Sequence, residues 1–196
     1  EWCPVEVSAE CGRLTGEIVR TRTLCEAGLS RAAETGETGS EQWAAFGLTS
    51  TELLAGRLGR ARELLGTVLD LTDQTGLMQI PGAGLAVNVA AHAGDADEAR
   101  TLARETIANA RDAHEHMYEL NLLHGLGFIE ASAGDHTAAA ATYELARSLA
   151  ATHGVRNVAV QRAALHEAES AATAGLADQA VSALASFDRE PVPPAA

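Results

Sequence analysis

The sequence predicts an all-α fold, a right-handed α-α superhelix of stacked helical hairpins. Four copies of one pattern indicate it, each with a helix-like stretch ending at a hinge glycine: Gly59, Gly94, Gly134 and Gly175. These glycines lie 35, 40 and 41 residues apart, and self-similarity at such a period is typical of helical-repeat solenoids. Hydrophobic residues make up 46% of the chain but aromatic residues only 4%. This composition favours helices that pack closely through small side chains.

The second helix of each copy carries a repeated apolar stripe at five, nine and twelve residues after the hinge. These offsets lie on one face of an α-helix. The stripe residues are Leu64, Val68 and Leu71; Ala99, Ala103 and Thr106; Ala139, Tyr143 and Ala146; and Ala180, Leu184 and Phe187. We therefore expect these positions to form the core. A small residue three positions before each hinge is expected where the two helices cross: Gly56, Ala91, Ala131 and Ala172.

The residues that typically start and end helices predict a leading helix and four helix pairs. Gly36 and Gly76 are expected to end helices, Ser40 to cap one, and Pro81 to lie in a first helical turn. Asp95 and Asp135 follow hinge glycines, where a carboxylate accepts hydrogen bonds from the first amides of the next helix. The predicted helices are 13–34, 41–57, 60–75, 81–93, 95–114, 117–133, 136–153, 156–174 and 177–187.

We expect residues 1–187 to form one repeat domain, followed by a proline-rich linker at 188–196. The sequence begins with Glu1 rather than Met, which suggests a piece of a longer protein. Cys3, Cys11 and Cys25 are odd in number and have no zinc-motif spacing, so reduced thiols in a cytoplasmic protein are expected. Cys25 is expected to be a small buried residue.

The first helices carry positions that differ between copies and lie on one face of each helix. They stand two, six, nine and thirteen residues before the hinge. Because first helices line the concave surface of such solenoids, this face is the predicted binding groove for an effector or a partner protein. The alternative is that these are merely solvated positions. The groove candidates are Phe46, Ser50, Leu53, Arg57, Asn88, His92, Asn121, Phe128, Arg162, His166 and Glu169.

No motif in the chain predicts catalysis, a cofactor or a metal site. His114 and His116 are two residues apart and do not face each other on a helix, so a polar helix end is expected there. His124 is expected to be a partly buried packing residue. Gly125 and Gly127 follow no strand and lead to no phosphate-binding lysine, so they are interpreted as helix-packing glycines. No nucleophile-elbow sequence occurs either, which argues against an enzyme.

The charge and hydropathy of the chain argue against nucleic-acid binding and against a membrane-spanning segment. The chain has 27 acidic and 14 basic residues, a formal net charge of −13. Such a surface repels phosphate backbones, so we expect no nucleic-acid binding by this segment. No run of 18 apolar residues occurs, so no membrane span is expected.

Several repeat sequences resemble a known regulator family. They are the runs 56–65 (GRLGRARELL), 93–100 (AGDADEAR) and 130–139 (EASAGDHTAA), with further likeness between Gly154 and Asp178. They are similar to the tetratricopeptide-like arm of large ATP-binding LuxR-type transcriptional regulators of actinobacteria, over about 43–187. That family carries a P-loop ATPase module before the arm and a helix-turn-helix module after it. Neither motif occurs in this chain.

The resemblance implies a sensor or protein-interaction arm of a bacterial transcriptional regulator. An inducer or partner protein would fill the groove and shift the packing of the arm against the ATPase module. The alternative is a free-standing scaffold of the same fold that binds a peptide or protein unrelated to transcription.

Overall fold

The computed structural model describes residue 12, residues 16–155 and residues 158–187, without the side chains of 158–162 and 187. These residues form nine α-helices and no strand. The helices are α1 (Ile18–Thr35), α2 (Thr38–Leu54), α3 (Leu58–Thr75), α4 (Gln79–Ala93), α5 (Ala96–Asp112), α6 (His116–Ser132), α7 (His136–Thr152), α8 (Val158–Thr173) and α9 (Ala177–Phe187). Cys3, Cys11, the beginning of the first predicted helix and the predicted linker 188–196 lie outside the described residues.

The helices belong to two compact units, residues 1–93 and 94–196. In the first unit α1 packs on α2, α2 on α3 and α3 on α4, and α4 also contacts α2. In the second unit α5 packs on α6, α6 on α7, α7 on α8 and α8 on α9, and α8 also contacts α6. Each unit is thus a series of helices packed in chain order. One continuous domain over 1–187 stays a prediction.

One turn geometry joins the helices of each hairpin within the units. Gly56, Gly134 and Gly175 have φ of 70°, 83° and 78°, a left-handed conformation that glycine adopts without a steric penalty. The next residue returns its amide to a carbonyl five positions back, as Asp135 does to Glu130 at 3.0 Å. This bond satisfies a carbonyl of the last helical turn. A left-handed glycine therefore lies at each of these three turns between helices, as predicted for Gly134 and Gly175.

The predicted hinge Gly59 is wrong, because Gly59 lies inside the first turn of α3. Gly56 has the left-handed conformation instead, which changes the first spacing from 35 to 38 residues. A shift of three residues is close to one helical turn. The positions five, nine and twelve residues after Gly59 therefore still lie on the buried face of the helix. Leu64, Val68 and Leu71 are at most 7% exposed.

The core of each unit is made of small and aliphatic side chains. Cys25, Leu48 and Leu64 form one cluster in the first unit, which confirms Cys25 as a buried residue. In the second unit Ala140, Ala171 and Ala180 join α7, α8 and α9. The stripe prediction is confirmed for α5 and α7, where all six positions are buried.

Three local predictions are wrong. Leu184, placed in the stripe of α9, is 47% exposed. The predicted crossing residue Ala172 is exposed, whereas its neighbour Ala171 is 0% exposed, so the close crossing lies four residues before the hinge rather than three. Ser40 does not cap a helix, because α2 begins at Thr38 and the Ser40 hydroxyl donates to Glu37 at 3.3 Å.

Of the two aspartates predicted to cap helices, one does so and the other does not. The amide of Ala138 donates to Asp135 Oδ1 at 3.1 Å, so Asp135 caps α7 as expected. Asp95 makes no side-chain cap on α5. Gly36 and Gly76 end α1 and α3 in the left-handed conformation, as predicted.

Candidate partner-binding surface

The groove candidates of the first unit are mostly packed rather than open. Phe46 is half-buried on α2, lies against the cluster of Ala45, Val68 and Leu85, and meets the Trp43 ring edge-on at 5.9 Å between centroids. Ser50, Leu53 and Asn88 are also half-buried. The first unit therefore offers little apolar area at these positions.

Two other candidates of the first unit are exposed and polar. His92 is exposed on α4, and its Nδ1 lies 2.8 Å from the carbonyl oxygen of Asn88. Arg57 does not lie on a first helix, because α2 ends at Leu54 and Arg57 precedes α3. Its guanidinium lies 3.5 Å from the buried Glu52 carboxylate. Arg57 therefore belongs to an ion-paired turn.

The candidates of the second unit form a more exposed surface on α6 and α8. Asn121 and Phe128 lie seven residues apart on α6 and both are exposed, Phe128 to 41%. On α8, His166 and Glu169 are exposed, and Nδ1 of His166 lies 4.0 Å from the Glu169 carboxylate. The Arg162 side chain lies outside the described part of α8. We call Asn121, Phe128, His166 and Glu169 the α6–α8 surface.

An aromatic cluster lies beneath this surface. The Tyr143 ring, on α7, stacks on His166 with centroids 5.5 Å apart and meets His124 edge-on at 5.4 Å. His124 and His166 are themselves 5.7 Å apart. His124 is half-buried, as predicted for a packing residue. Tyr143 is 3% exposed, so its position is held by the surrounding core, and both histidine rings pack against it.

The absence of a side chain at Gly127 leaves space for the Tyr143 ring. A Cβ added at Gly127 would lie 2.7 Å from ring carbons of Tyr143, closer than real carbon atoms approach. Any larger residue would push the ring away from α6. The interpretation of Gly127 as a helix-packing glycine is confirmed, and its packing partner is the tyrosine of the next helix.

Burial and nearby carboxylates raise the pKa of Tyr143 to about 12. Burial is the larger cause, and the charges of Glu130 and Glu169 add to it, since each disfavours a second negative charge on the phenolate. Tyr143 therefore remains a neutral phenol across the physiological range. Of these two carboxylates, Glu169 is exposed on the α6–α8 surface and Glu130 is buried.

Sequence reasoning missed a set of buried glutamates on first helices. Glu52, Glu119, Glu130 and Glu167 are each at most 5% exposed. Three bind arginines of other helices: Glu52 binds Arg22, Glu119 binds Arg111 and Glu167 binds Arg147. The fourth accepts a hydrogen bond from the Thr142 hydroxyl at 2.7 Å. The signal in the sequence that could have identified these residues is a glutamate within an otherwise apolar helix segment.

The Glu167–Arg147 pair has the most complete set of contacts. Arg147 donates from Nε and Nη2 at 2.8 and 3.3 Å, a two-point contact, and Gln179 Nε2 donates to the same carboxylate at 3.4 Å. The hydrogen bond to Glu167 raises the pKa of Arg147, although burial opposes the shift. Such pairs fix the relative positions of α7, α8 and α9. The role of these pairs is structural, because their glutamate carboxylates are buried.

The described residues give no sign of a metal site or a membrane span. No group of three or more His, Cys, Asp or Glu side chains in this part of the chain is arranged to hold a metal ion. His114 lies in the turn after α5 and His116 at the start of α6, so they do not share the helix end that we expected. Among these helices none is long and apolar enough to cross a bilayer.

Solved structures resemble the chain over nearly its whole length. The crystal structure of BtubC (BKLC) from P. vanneervenii has a TM-score of 0.72 at 15% identity, covering 98% of this chain and 83% of that one. A putative kinesin light chain of Podosopora anserina with nearly identical TPR-like repeats gives 0.65 at 18% identity, covering 95% and 96%. A variant of that repeat protein gives 0.67 at 18% identity, covering 94% and 91%.

These similarities show the fold. No family model matches the sequence, and no curated protein matches it. The predicted all-α class of tetratricopeptide-like helical hairpins is confirmed by the structure and by its neighbours. Helical-repeat solenoids of this kind form extended concave surfaces.

Proposed function

We propose that this chain is the partner-binding repeat arm of a larger bacterial transcriptional regulator in the cytoplasm, and that it binds through the α6–α8 surface. One observation carries the proposal: Phe128 is 41% exposed on a first helix, and it belongs to the same surface as His166, whose ring stacks on the buried Tyr143. Exposed aromatic side chains on a rigid base are typical anchors of protein interfaces. The resemblance of the repeats to LuxR-type regulator arms supports the cellular context.

The chemistry of the surface fits a protein or small-molecule effector better than a reaction. Phe128 supplies apolar area, while Asn121 and His166 can donate and accept hydrogen bonds. A ligand bound here would contact α6 and α8, which pack against each other and against α7. Binding would thus favour one arrangement of this hairpin over others, and the regulator's ATPase and DNA-binding modules would respond to that shift.

The test is site-specific photo-crosslinking in the native host. A benzophenone amino acid replaces Phe128 in the full-length protein, and Leu145 in a matched control. Leu145 is 48% exposed on the second helix α7, so it reports general surface proximity. We expect a distinct crosslinked partner from position 128 only, either an effector protein or another module of the same polypeptide. Identical crosslinks from both positions would contradict the assignment of this surface.

A free-standing scaffold is the second candidate. The matched repeat chains are themselves covered to between 83% and 96%, so helical repeats make up most of each of those solved chains. The flanking reading frame separates the two candidates. A P-loop upstream and a helix-turn-helix downstream support the regulator, and their absence from the reading frame leaves the scaffold.

A further inference from the structure

The side chain of Tyr143 is larger than its place in the repeat requires. Nine residues after the left-handed glycine of each copy stand Leu65, Ala103, Tyr143 and Leu184. Ala103 is 0% exposed, so an alanine is large enough for this position in α5. Seven residues before the same glycines stand Thr49, Val87, Gly127 and Ala168. The copy that has the tyrosine is therefore also the copy that has a glycine on its first helix.

Gly127 and Tyr143 are a matched pair that disfavours the helix carrying the glycine. A Cβ at position 127 would lie 2.7 Å from the tyrosine ring, so the ring requires the glycine. Glycine in a helix interior is a poor helix former, and a smaller residue at position 143 would allow a better one at 127. Helix packing alone therefore does not explain why this copy has a tyrosine.

The Tyr143 ring contacts both helices of the α6–α8 surface. Its stacking partner His166 is on α8, with 26° between the two rings, and its edge-on partner His124 is on α6, at 69°. The His166 side chain is 47% exposed, so part of the imidazole contacts the tyrosine while the rest is open to solvent. A side chain held in this way presents its ring nitrogens in a restricted set of orientations.

The influence of Tyr143 on His166 comes from its aromatic ring rather than from a charge. Burial, with the carboxylates of Glu130 and Glu169, raises the pKa of Tyr143 to about 12, so the phenol is neutral at physiological pH. Phenylalanine has the same ring and should replace tyrosine in this role. Leucine fills much of the same space but has no aromatic face, so comparing the two substitutions separates orientation of the histidine from core filling.

We propose that Tyr143 is a positioning residue of the α6–α8 surface: its ring orients His166, and His166 makes the polar contact that selects the partner. This role rests on the function proposed above and adds which residue gives that surface its specificity. An imidazole can donate one hydrogen bond and accept another, so its orientation decides which group of a partner it meets. A side chain that is oriented before binding also loses less conformational freedom when the partner binds.

The orientation of His166 is measurable by NMR on the 196-residue chain with labelled histidines. The chain has seven histidines, and His166→Gln identifies the signals of interest. Because the ring current of an aromatic side chain shifts nearby protons, we expect the His166 ring signals to keep their shifts in Tyr143→Phe. In Tyr143→Leu they should move toward the values of a solvated histidine, while the signals of His92 on α4 stay unchanged as the control. Unchanged His166 signals in Tyr143→Leu would overturn the positioning role.

Partner capture from position 128, in the photo-crosslinking experiment described above, measures the consequence for binding. Tyr143→Phe should leave capture unchanged, while Tyr143→Leu should reduce it at least about fivefold. His166→Ala should cause a similar loss, and the two changes together should lose little more, because they act on one contact.

A structural control accompanies these variants. Ala150 is 0% exposed on the same helix as Tyr143, about two turns away. Ala150→Gly should therefore lower stability without moving the tyrosine ring, and it should leave capture largely intact. Equal losses of capture from Ala150→Gly and Tyr143→Leu would overturn the proposal.

A compensating pair of changes separates packing from positioning. Gly127→Ala alone should lower stability, since the added methyl group meets the ring. Combining it with Tyr143→Leu relieves that clash and should restore much of the stability, as measured by urea unfolding. Capture should nevertheless stay low, because no aromatic ring orients His166. Capture that recovers together with stability would overturn the proposal.

Failure of the proposed function and failure of this positioning role give different results. If the unaltered chain captures no partner specifically from position 128, the function is wrong, and partner selection by His166 is wrong with it. If the unaltered chain captures a partner and Tyr143→Leu captures it equally well, the function stands and the positioning role alone is wrong.

Discussion

Tyr143 is a residue whose ionisation depends on the fold. It combines near-complete burial with two neighbouring carboxylates, and its pKa is raised from 10.0 to about 12. Since the folded value lies above the unfolded one, folding favours the neutral phenol. The resulting stability is fully present below pH 10 and is lost as pH rises through about 12.

Absorbance titration near 295 nm measures this shift directly, because the chain has only two tyrosines. In Tyr118→Phe the remaining signal comes from Tyr143, and we expect a midpoint near pH 12 while the protein stays folded. In Tyr143→Phe the free energy of unfolding should fall less between pH 10 and 12, by about 2 kcal/mol. A midpoint near 10 in the first variant would contradict the buried position of the ring.

His114, like Met78, is a described non-glycine residue with a left-handed backbone conformation. Its φ is 59°, and it occupies the turn position that glycine holds in the hairpins at Gly134 and Gly175. A left-handed conformation costs a non-glycine residue about 1–2 kcal/mol. Glycine avoids that cost but loses more entropy on folding, by about 0.5–1 kcal/mol. The net effect still favours glycine.

We therefore expect His114→Gly to raise the free energy of unfolding by about 0.5–1 kcal/mol. Gly134→His is the matched reverse change and should lower it by a similar amount. Urea unfolding followed by circular dichroism gives both values. A destabilised His114→Gly protein would mean that the histidine makes contacts worth more than the backbone penalty.

At the scale of the helices, the features that the sequence predicted correctly are those that depend on neighbouring residues in the chain: helix boundaries and the buried face of a helix. The helix predicted over 136–153 is observed as His136–Thr152, because a left-handed glycine and a capping aspartate define its start. The alanines of the α5 and α7 stripes are buried for an equally local reason, since their spacing follows the helical period.

Features that depend on contacts between helices were not predictable in the same way. Arg147 and Glu167 are 20 residues apart, and Arg22 and Glu52 are 30 apart, so no local pattern links them. Leu184 fits the stripe pattern yet remains exposed, because in the described part of the chain α9 packs on α8 through Ala180 and Ala183 instead. The groove candidates fall within two separately described units, so one continuous groove stays a prediction.

The position of the helix crossing gives a test between adjacent residues of α8. Ala171 is 0% exposed and packs with Ala140 and Ala180, while Ala172 is exposed. Ala171→Leu should destabilise the protein by about 1–3 kcal/mol, because the added carbons have no free volume. Ala172→Leu should change stability by less than about 0.5 kcal/mol. Equal losses in thermal unfolding would mean that the crossing lies elsewhere.

Over the whole molecule, charge is the property that governs which partners can approach. The chain has 27 acidic against 14 basic residues, and several arginines are already bound to buried glutamates: Arg22, Arg111 and Arg147. Those arginines are not free to bind phosphates. The other eleven basic residues are dispersed along the chain among the acidic ones, whereas a strong DNA-binding protein brings roughly 6–10 phosphate contacts together on one surface.

We accordingly expect no association of this chain with duplex DNA at physiological salt, even if a longer parent protein binds DNA through another module. Fluorescence anisotropy with a labelled duplex, repeated at low salt, measures this. The control is a variant that replaces four exposed acidic residues of α5 by the neutral amides: Asp97, Glu98, Glu105 and Asp112. If repulsion alone prevents binding, that variant should gain weak, salt-sensitive affinity. Salt-sensitive binding by the unaltered chain would instead reveal a basic surface and contradict an arm that binds only proteins or small effectors.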